Sequence, residues 1–193
     1  MSKARLAILI SGRGSNMLAI AKACANVELE ADVALVISNR ADAAGIDSAA
    51  HLGIDTAVLD HTTFDSREAF DSALSKRLEQ VQPDWIVLAG FMRILGKSFV
   101  KRWEGRVVNI HPSLLPLYPG LDTHARAIAA GDTQAGASVH IVTPELDAGP
   151  VLAQVRVPIV PGDTPESLAS RVIPQEHELY VEALKHCITV STQ

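Results

Sequence analysis

The chain is poor in aromatic residues: Phe, Trp and Tyr make up 4% of its 193 positions, whereas hydrophobic residues make up 48%. A core drawn from that stock must be mostly aliphatic, as in α/β proteins whose parallel strands are buried on both faces. There are only two cysteines, Cys24 and Cys187, far apart and without ligand spacing. They offer neither a disulfide framework nor a metal site, and no metal is expected. No apolar run approaches a membrane span and the start is not signal-like, so a cytoplasmic protein with no membrane partner is expected. No block of like charge occurs and the net charge is −5. That argues against a nucleic-acid partner and leaves room for an anionic small molecule held by a local positive site.

What the chain does contain is alternation. "ARLAILIS", "DVALVIS", "DTAVLD", "DWIVLAG", "RVVNI", "ASVHIVT" and "VLAQVRVPIV" read as strands, and helical patterns fall at about 15–26, 43–51, 65–80, 97–103, 123–130 and 165–186. This βαβ order predicts an α/β fold with a doubly wound, mostly parallel sheet in a single domain over 1–193. The last two strands are joined by "PELDAGP" with no helix between, which predicts a late antiparallel strand; strand order is not readable from the pattern. Pro174, inside the last helical pattern, predicts a kink or a new segment. In "FDSREAF", Asp65 reads as a helix cap with Glu68 three residues on. Arg67 then sits in the first turn, where a cation opposes the helix dipole. It reads either as a solvated surface residue or as a hint of an anionic partner.

Polar residues gather where strands stop. In "RVVNIHP", Asn109 and His111 share one face, Ile110 lies on the other, and Pro112 ends the ladder. In parallel sheets ligands bind at that end. "SVHIVTPELDAGP" puts His140 on a strand and Asp147 in the following loop. Asp147 is either a turn former or the carboxylate that orients His111 and stabilises its charged form. His140 is either a satisfied buried histidine or a support for the site. His124 follows the proline-rich turn and lies close enough in sequence to join it, while His51, His61 and His186 read as surface residues. Ser113 lacks the Gly-x-Ser-x-Gly elbow of a serine hydrolase.

The first strand runs into "SGRGSN", residues 11–16, and then a helix. Gly12 and Gly14 allow close backbone approach, and free N–H groups at a helix start bind phosphate. A dinucleotide fingerprint needs glycine at Met17 and an acid after "VISNR"; neither is present, and there is no Gly-Lys pair for a Walker loop. The loop is thus a tight turn or a mononucleotide-type phosphate site. In "GFMRIL", Met92, Ile94 and Leu95 suit an apolar slot with Arg93 at its rim, or ordinary packing.

Taken in order, "ISGRGSN", "SNRADAAG", "FDSREAF", "VLAGFMRIL", "NIHPSLLPLYPG" and "SVHIVTPELDAGPV" resemble the folate-dependent formyltransferase family, in its single-domain bacterial branch acting on glycinamide ribonucleotide. The resemblance covers essentially the whole chain. It implies transfer of a formyl group from 10-formyltetrahydrofolate, a co-substrate, to the amine of glycinamide ribonucleotide in purine biosynthesis. It further implies catalytic roles for Asn109, His111 and Asp147. Gly12, Arg13, Gly14, Ser15, Asn16 and Glu176 would contact the ribonucleotide. Arg67, Met92, Arg93, Ile94, Leu95 and Asn109 would contact folate. The phosphate half would then fall at about 1–100 and the catalytic and folate half at about 101–193. Arg13 and Asp122 depart from many relatives, and Pro174 sits two residues before Glu176. Related deformylases add an N-terminal domain and methionyl-tRNA formyltransferases a C-terminal one, so this chain is expected to be neither. A non-catalytic folate or nucleotide module would not need the Asn–His–Asp set. A monomer or homodimer with small-molecule partners is expected.

Overall fold

Strand β1 (Ala4–Ile10) is buried from Leu6 onward, and its alternate residues serve two different cores. Leu6, Ile8 and Ile10 point to one face of the sheet, while Ala7 and Leu9 point to the other. This is why the run is continuously apolar rather than alternating: a central parallel strand is covered on both sides. The computed structural model describes residues 3–191. The remaining strands are β2 (Ala31–Ser38), β3 (Thr56–Val58), β4 (Trp85–Leu88), β5 (Val107–His111), β6 (Gln134–Ile141) and β7 (Val151–Pro158). They form one seven-stranded sheet in the order β3-β2-β1-β4-β5-β6-β7. All pairings are parallel except that β6 runs against both β5 and β7, which is the expected late antiparallel strand.

Helices α1 (Ser15–Ala25) and α6 (Pro165–Ser191) cover one face, burying Met17, Ile20, Tyr180 and Leu184. Helices α3 (Arg67–Val81) and α4 (Lys97–Arg102) cover the other with Phe70, Leu74, Leu78 and Phe99. Each fully buried aliphatic or aromatic side chain contributes ~1.5–3 kcal/mol before entropy is counted. Helices α2 (Ala44–His51) and α5 (Thr123–Ala129) complete the connections. Tyr180, fully buried on α6, places its hydroxyl 3.0 Å from the Leu88 carbonyl and 3.1 Å from that of Val108, against both β4 and β5.

Three sequence expectations are corrected. The cap of α3 is Ser66 rather than Asp65: Ser66 is extended (φ −152°, ψ 165°) and its hydroxyl accepts from the Ala69 N–H at 3.1 Å. Helix α6 runs through Pro174 over 27 residues without starting a new segment. Its packing against α1, β6 and β7 outweighs the one backbone N–H that proline lacks. His61 is half-buried rather than a free surface residue, because its ring meets the backbone and side chain of Asn39.

Strand order, silent in the sequence, positions the site. The chain builds outward from β1 to β3, then returns to lay β4 on the other side of β1. The reversal between β1 and β4 opens a crevice at their carboxyl ends, where ligands bind in open α/β sheets.

Candidate active site

The crevice is an open cleft of about 210 Å³, lined by Ser11 to Asn16 on one side and by Ala89, Gly90 and Met92 on the other. Gly14 is left-handed (φ +72°), and a Cβ there would come within 3.1 Å of Met17 and 3.2 Å of the Gly45 backbone. It is needed by the fold. Gly12 has no atom within 4 Å of a would-be Cβ, so the fold does not require a glycine there on steric grounds. Gly45 of α2, which the sequence reading passed over, donates its N–H to the Gly12 carbonyl at 3.0 Å and leaves no room for a side chain. Arg13 is exposed at the cleft edge.

Asn16 is buried at the start of α1 and donates from Nδ2 to Glu176 Oε2 at 3.0 Å. The uninterrupted α6 thus delivers Glu176 to the loop despite Pro174. Burial raises the Glu176 pKa, against the Asn16 hydrogen bond. Asn16 Oδ1 is buried with no hydrogen-bond partner, and the residue lines the cleft.

Beyond the crevice, β5 presents Asn109 and His111 on one face, as their parity predicts. Antiparallel register sets His140 of β6 directly opposite Asn109. The His140 Nδ1 lies 3.0 Å from the Ile141 carbonyl, so that nitrogen carries the hydrogen. Its Nε2 therefore accepts from Asn109 Nδ2 at 3.1 Å. Burial holds the His140 pKa down, overcoming the Ile141 carbonyl and Asp147. A neutral His140 thus fixes the Asn109 amide and leaves one of its N–H groups unspent.

His111 ends β5, buried, with Nε2 2.9 Å from the Tyr118 carbonyl; that nitrogen also bears a hydrogen. Its Nδ1 faces Asp147 Oδ2 at 3.5 Å, and Asp147 Oδ1 faces His140 Nε2 at 3.6 Å. Both gaps exceed an ordinary hydrogen bond. The Asp147 side chain is 8% exposed and is anchored by the Gly120 N–H at 2.9 Å. Asp147 is itself left-handed (φ 50°), and Gly149 behind it packs so tightly on the Ile141 carbonyl that no Cβ fits. That glycine brings the β6–β7 loop back over β5. Tyr118 and Gly120, backbone partners of His111 and Asp147, belong to the turn after "NIHPSLLP" and carry no sequence signal for these roles. His124 lies near enough that His111 joins burial in lowering its pKa.

The remaining candidates lie on the segment after β4 and at the start of α3. Met92 and Ile94 are 69% and 55% exposed, whereas Leu95 is packed into the core with Phe70 and Phe99. Arg93 lies over the Phe70 ring at 5.0 Å, and its Nε is buried without a hydrogen-bond partner. Arg67, the first residue of α3, is exposed. Asp71 joins these elements: its Oδ2 accepts the Gly96 N–H at 2.7 Å, and burial raises its pKa against the charges of Arg67 and Arg93. Among the described residues no group of His, Cys, Asp and Glu is placed to hold a metal ion, and no helix is long and apolar enough to cross a membrane.

The doubly wound sheet thus carries a glycine loop at its switch point and an Asn–His–Asp group one strand further on. The chain belongs to the formyl transferase family, whose model matches residues 4–184. It is 50% identical over 175 residues to the phosphoribosylglycinamide formyltransferase of Escherichia coli, covering 91% of this chain and 82% of that protein. It is 44% identical over 183 residues to the trifunctional purine biosynthetic protein adenosine-3 of Bos taurus, covering 95% of this chain but 18% of that protein. The solved phosphoribosylglycinamide formyltransferase of Coxiella burnetii superposes with a TM-score of 0.92 at 49% identity, over 97% of this chain and 88% of that one.

Proposed function

We propose that the protein transfers the formyl group of 10-formyltetrahydrofolate to the amine of glycinamide ribonucleotide, giving the N-formyl ribonucleotide and tetrahydrofolate in purine biosynthesis. The observation that carries this reading is the meeting of Asn109, His111 and Asp147 on one face at the end of β5, beside the glycine-loop cleft. The amine attacks the formyl carbon and the carbonyl oxygen becomes an oxyanion. The unspent N–H of Asn109 and a protonated Nδ1 of His111 donate to it. A donor aimed at developing charge is worth ~3–4 kcal/mol in the transition state. Asp147 stabilises the imidazolium. The proton lost by the attacking nitrogen is returned to the departing N10 of folate, so no net proton is released and no covalent enzyme intermediate is needed. Holding both substrates in attack geometry supplies much of the rest.

In this reading Gly12, Arg13, Gly14, Ser15 and Asn16 hold the ribonucleotide phosphate, and Glu176 contacts the ribonucleotide. Arg67, Met92, Arg93, Ile94, Leu95 and Asn109 hold folate. Chain 1–193 works as one domain, with phosphate bound by about the first hundred residues and catalysis in the rest. It acts in the cytoplasm on small molecules alone, without a metal, as a monomer or homodimer. The test is to mix the protein with 10-formyltetrahydrofolate, with and without glycinamide ribonucleotide. Tetrahydrofolate formed only when the ribonucleotide is present is the expected result. Formate released in its absence makes the protein a hydrolase, and no reaction in either case removes the catalytic reading.

A further inference from the structure

The two walls of the cleft are tied together through Ser11. Ser11, the residue after β1, is buried, and its Oγ accepts the Met92 N–H at 2.7 Å. The same hydroxyl donates its hydrogen to Asn39 Oδ1. The Ser11 N–H donates to the Gly90 carbonyl at 3.1 Å, a second tie between the glycine loop and the segment after β4. Asn39, also buried, follows β2 and is held in turn: its carbonyl accepts the His61 N–H at 3.2 Å, and its Nδ2 lies 3.1 Å from His61 Nδ1. The chain of bonds therefore crosses the carboxyl ends of β4, β1 and β2 and reaches the turn beyond β3. A hydroxyl that accepts and donates at once strengthens both bonds. Because Ser11 and Asn39 are both buried, the bond between them cannot be exchanged for water at no cost.

We propose that Ser11, held by Asn39, is the positioning residue that fixes the gap between the glycine loop and the 89–92 segment, and that through it the two substrates bind cooperatively. This rests on the functional reading above, in which the glycine loop takes the nucleotide and Met92 and its neighbours take the folate. A ligand that orders one wall then orders the other, and the second ligand meets a cleft already set. Asn39 does not line the cleft; its side chain meets the lining at Ser11.

The experiment is calorimetric titration of tetrahydrofolate, which carries no formyl group to transfer, into the full chain with and without saturating glycinamide ribonucleotide. The wild type, Ser11→Ala and Asn39→Ala are compared. The wild type is expected to bind tetrahydrofolate about tenfold more tightly when the nucleotide is present, a usual size for coupling between sites. Both variants are expected to bring that ratio close to one, and to raise both KM values more than they lower kcat. A role confined to holding the fold lowers the melting temperature and leaves the ratio untouched, which overturns the proposal, as does a wild-type ratio of one. If the wild type transfers no formyl group, the functional reading fails; if it does and the variants keep the ratio, only the positioning role fails.

Discussion

At the scale of single residues, the proposed site divides into groups that would meet the reacting atoms and groups that would aim them. Asn109 and His111 share a face by strand parity, but only their partners decide which hydrogens remain free. His140 takes one Asn109 N–H and the Tyr118 carbonyl takes the His111 Nε2–H. Each alanine variant, Asn109→Ala and His111→Ala, is expected to lower the single-turnover rate by about two to four orders of magnitude. If both groups act on one oxyanion, as proposed, the double variant should lose far less than the product of the two. Strictly multiplicative losses would mean that they act on different atoms. The glycine loop gives a second prediction. Gly12→Ala meets nothing in the protein, whereas Gly14→Ala meets Met17 and Gly45 in a left-handed conformation. Gly12→Ala should therefore keep the wild-type melting temperature and weaken ribonucleotide binding, while Gly14→Ala should lower the melting temperature. Thermal melts beside ligand titrations separate the two; nucleotide binding unchanged in Gly12→Ala would take that glycine out of the phosphate site.

At the scale of elements, α6 does the most. It is long enough to cover the sheet and still bring Glu176 to Asn16. The Glu176 carboxyl has its pKa raised by burial from an ordinary 4.5. A group whose folded pKa is raised binds its proton more tightly when folded, so its contribution to stability is present below the ordinary value. That contribution is lost as pH rises through the raised one. Glu176→Gln keeps an acceptor for Asn16 and never ionises. It should match the wild-type melting temperature in acid and exceed it increasingly toward neutral pH, at the cost of ribonucleotide affinity. Melts across that range check the sign, and a variant less stable at neutral pH would show that the carboxylate is well satisfied where it lies.

At the scale of the whole molecule, one sheet brings the glycine loop close to Asn109 and His111, and α6 packs against it. The Tyr180 hydroxyl touches carbonyls of β4 and β5, the strands that lead to the Met92 segment and to Asn109. Tyr180→Phe should cost about 1 kcal/mol, the usual net value of a buried hydrogen bond. Unfolding in denaturant should stay a single transition at a lower midpoint, because the sheet is continuous. Two separated transitions would mean that the phosphate and catalytic halves fold as independent units.

The order of strands and helices could be read from the sequence because hydrophobic period is a local property: 2 or continuous in strands, 3.6 in helices. The pairing of Asn109 with His111 could be read for the same reason, and the glycine loop because glycine announces backbone freedom at its own position. Asp65 misled as a cap because the choice between it and Ser66 rests on a backbone angle no local pattern fixes. Other features depend on residues far apart in the chain. His140 meets Asn109 only through the β5–β6 register, and Ser11 meets Asn39 and Met92 only because β4 lies beside β1. Asp147 reaches His111 only because Gly149 lets its loop fold back over β5. The sequence by itself determined which residues form each element and which faces they bury. The tertiary structure decided which polar groups meet, because hydrogen bonds have a reach of about 3 Å and only the packed order of the strands brings distant residues within it.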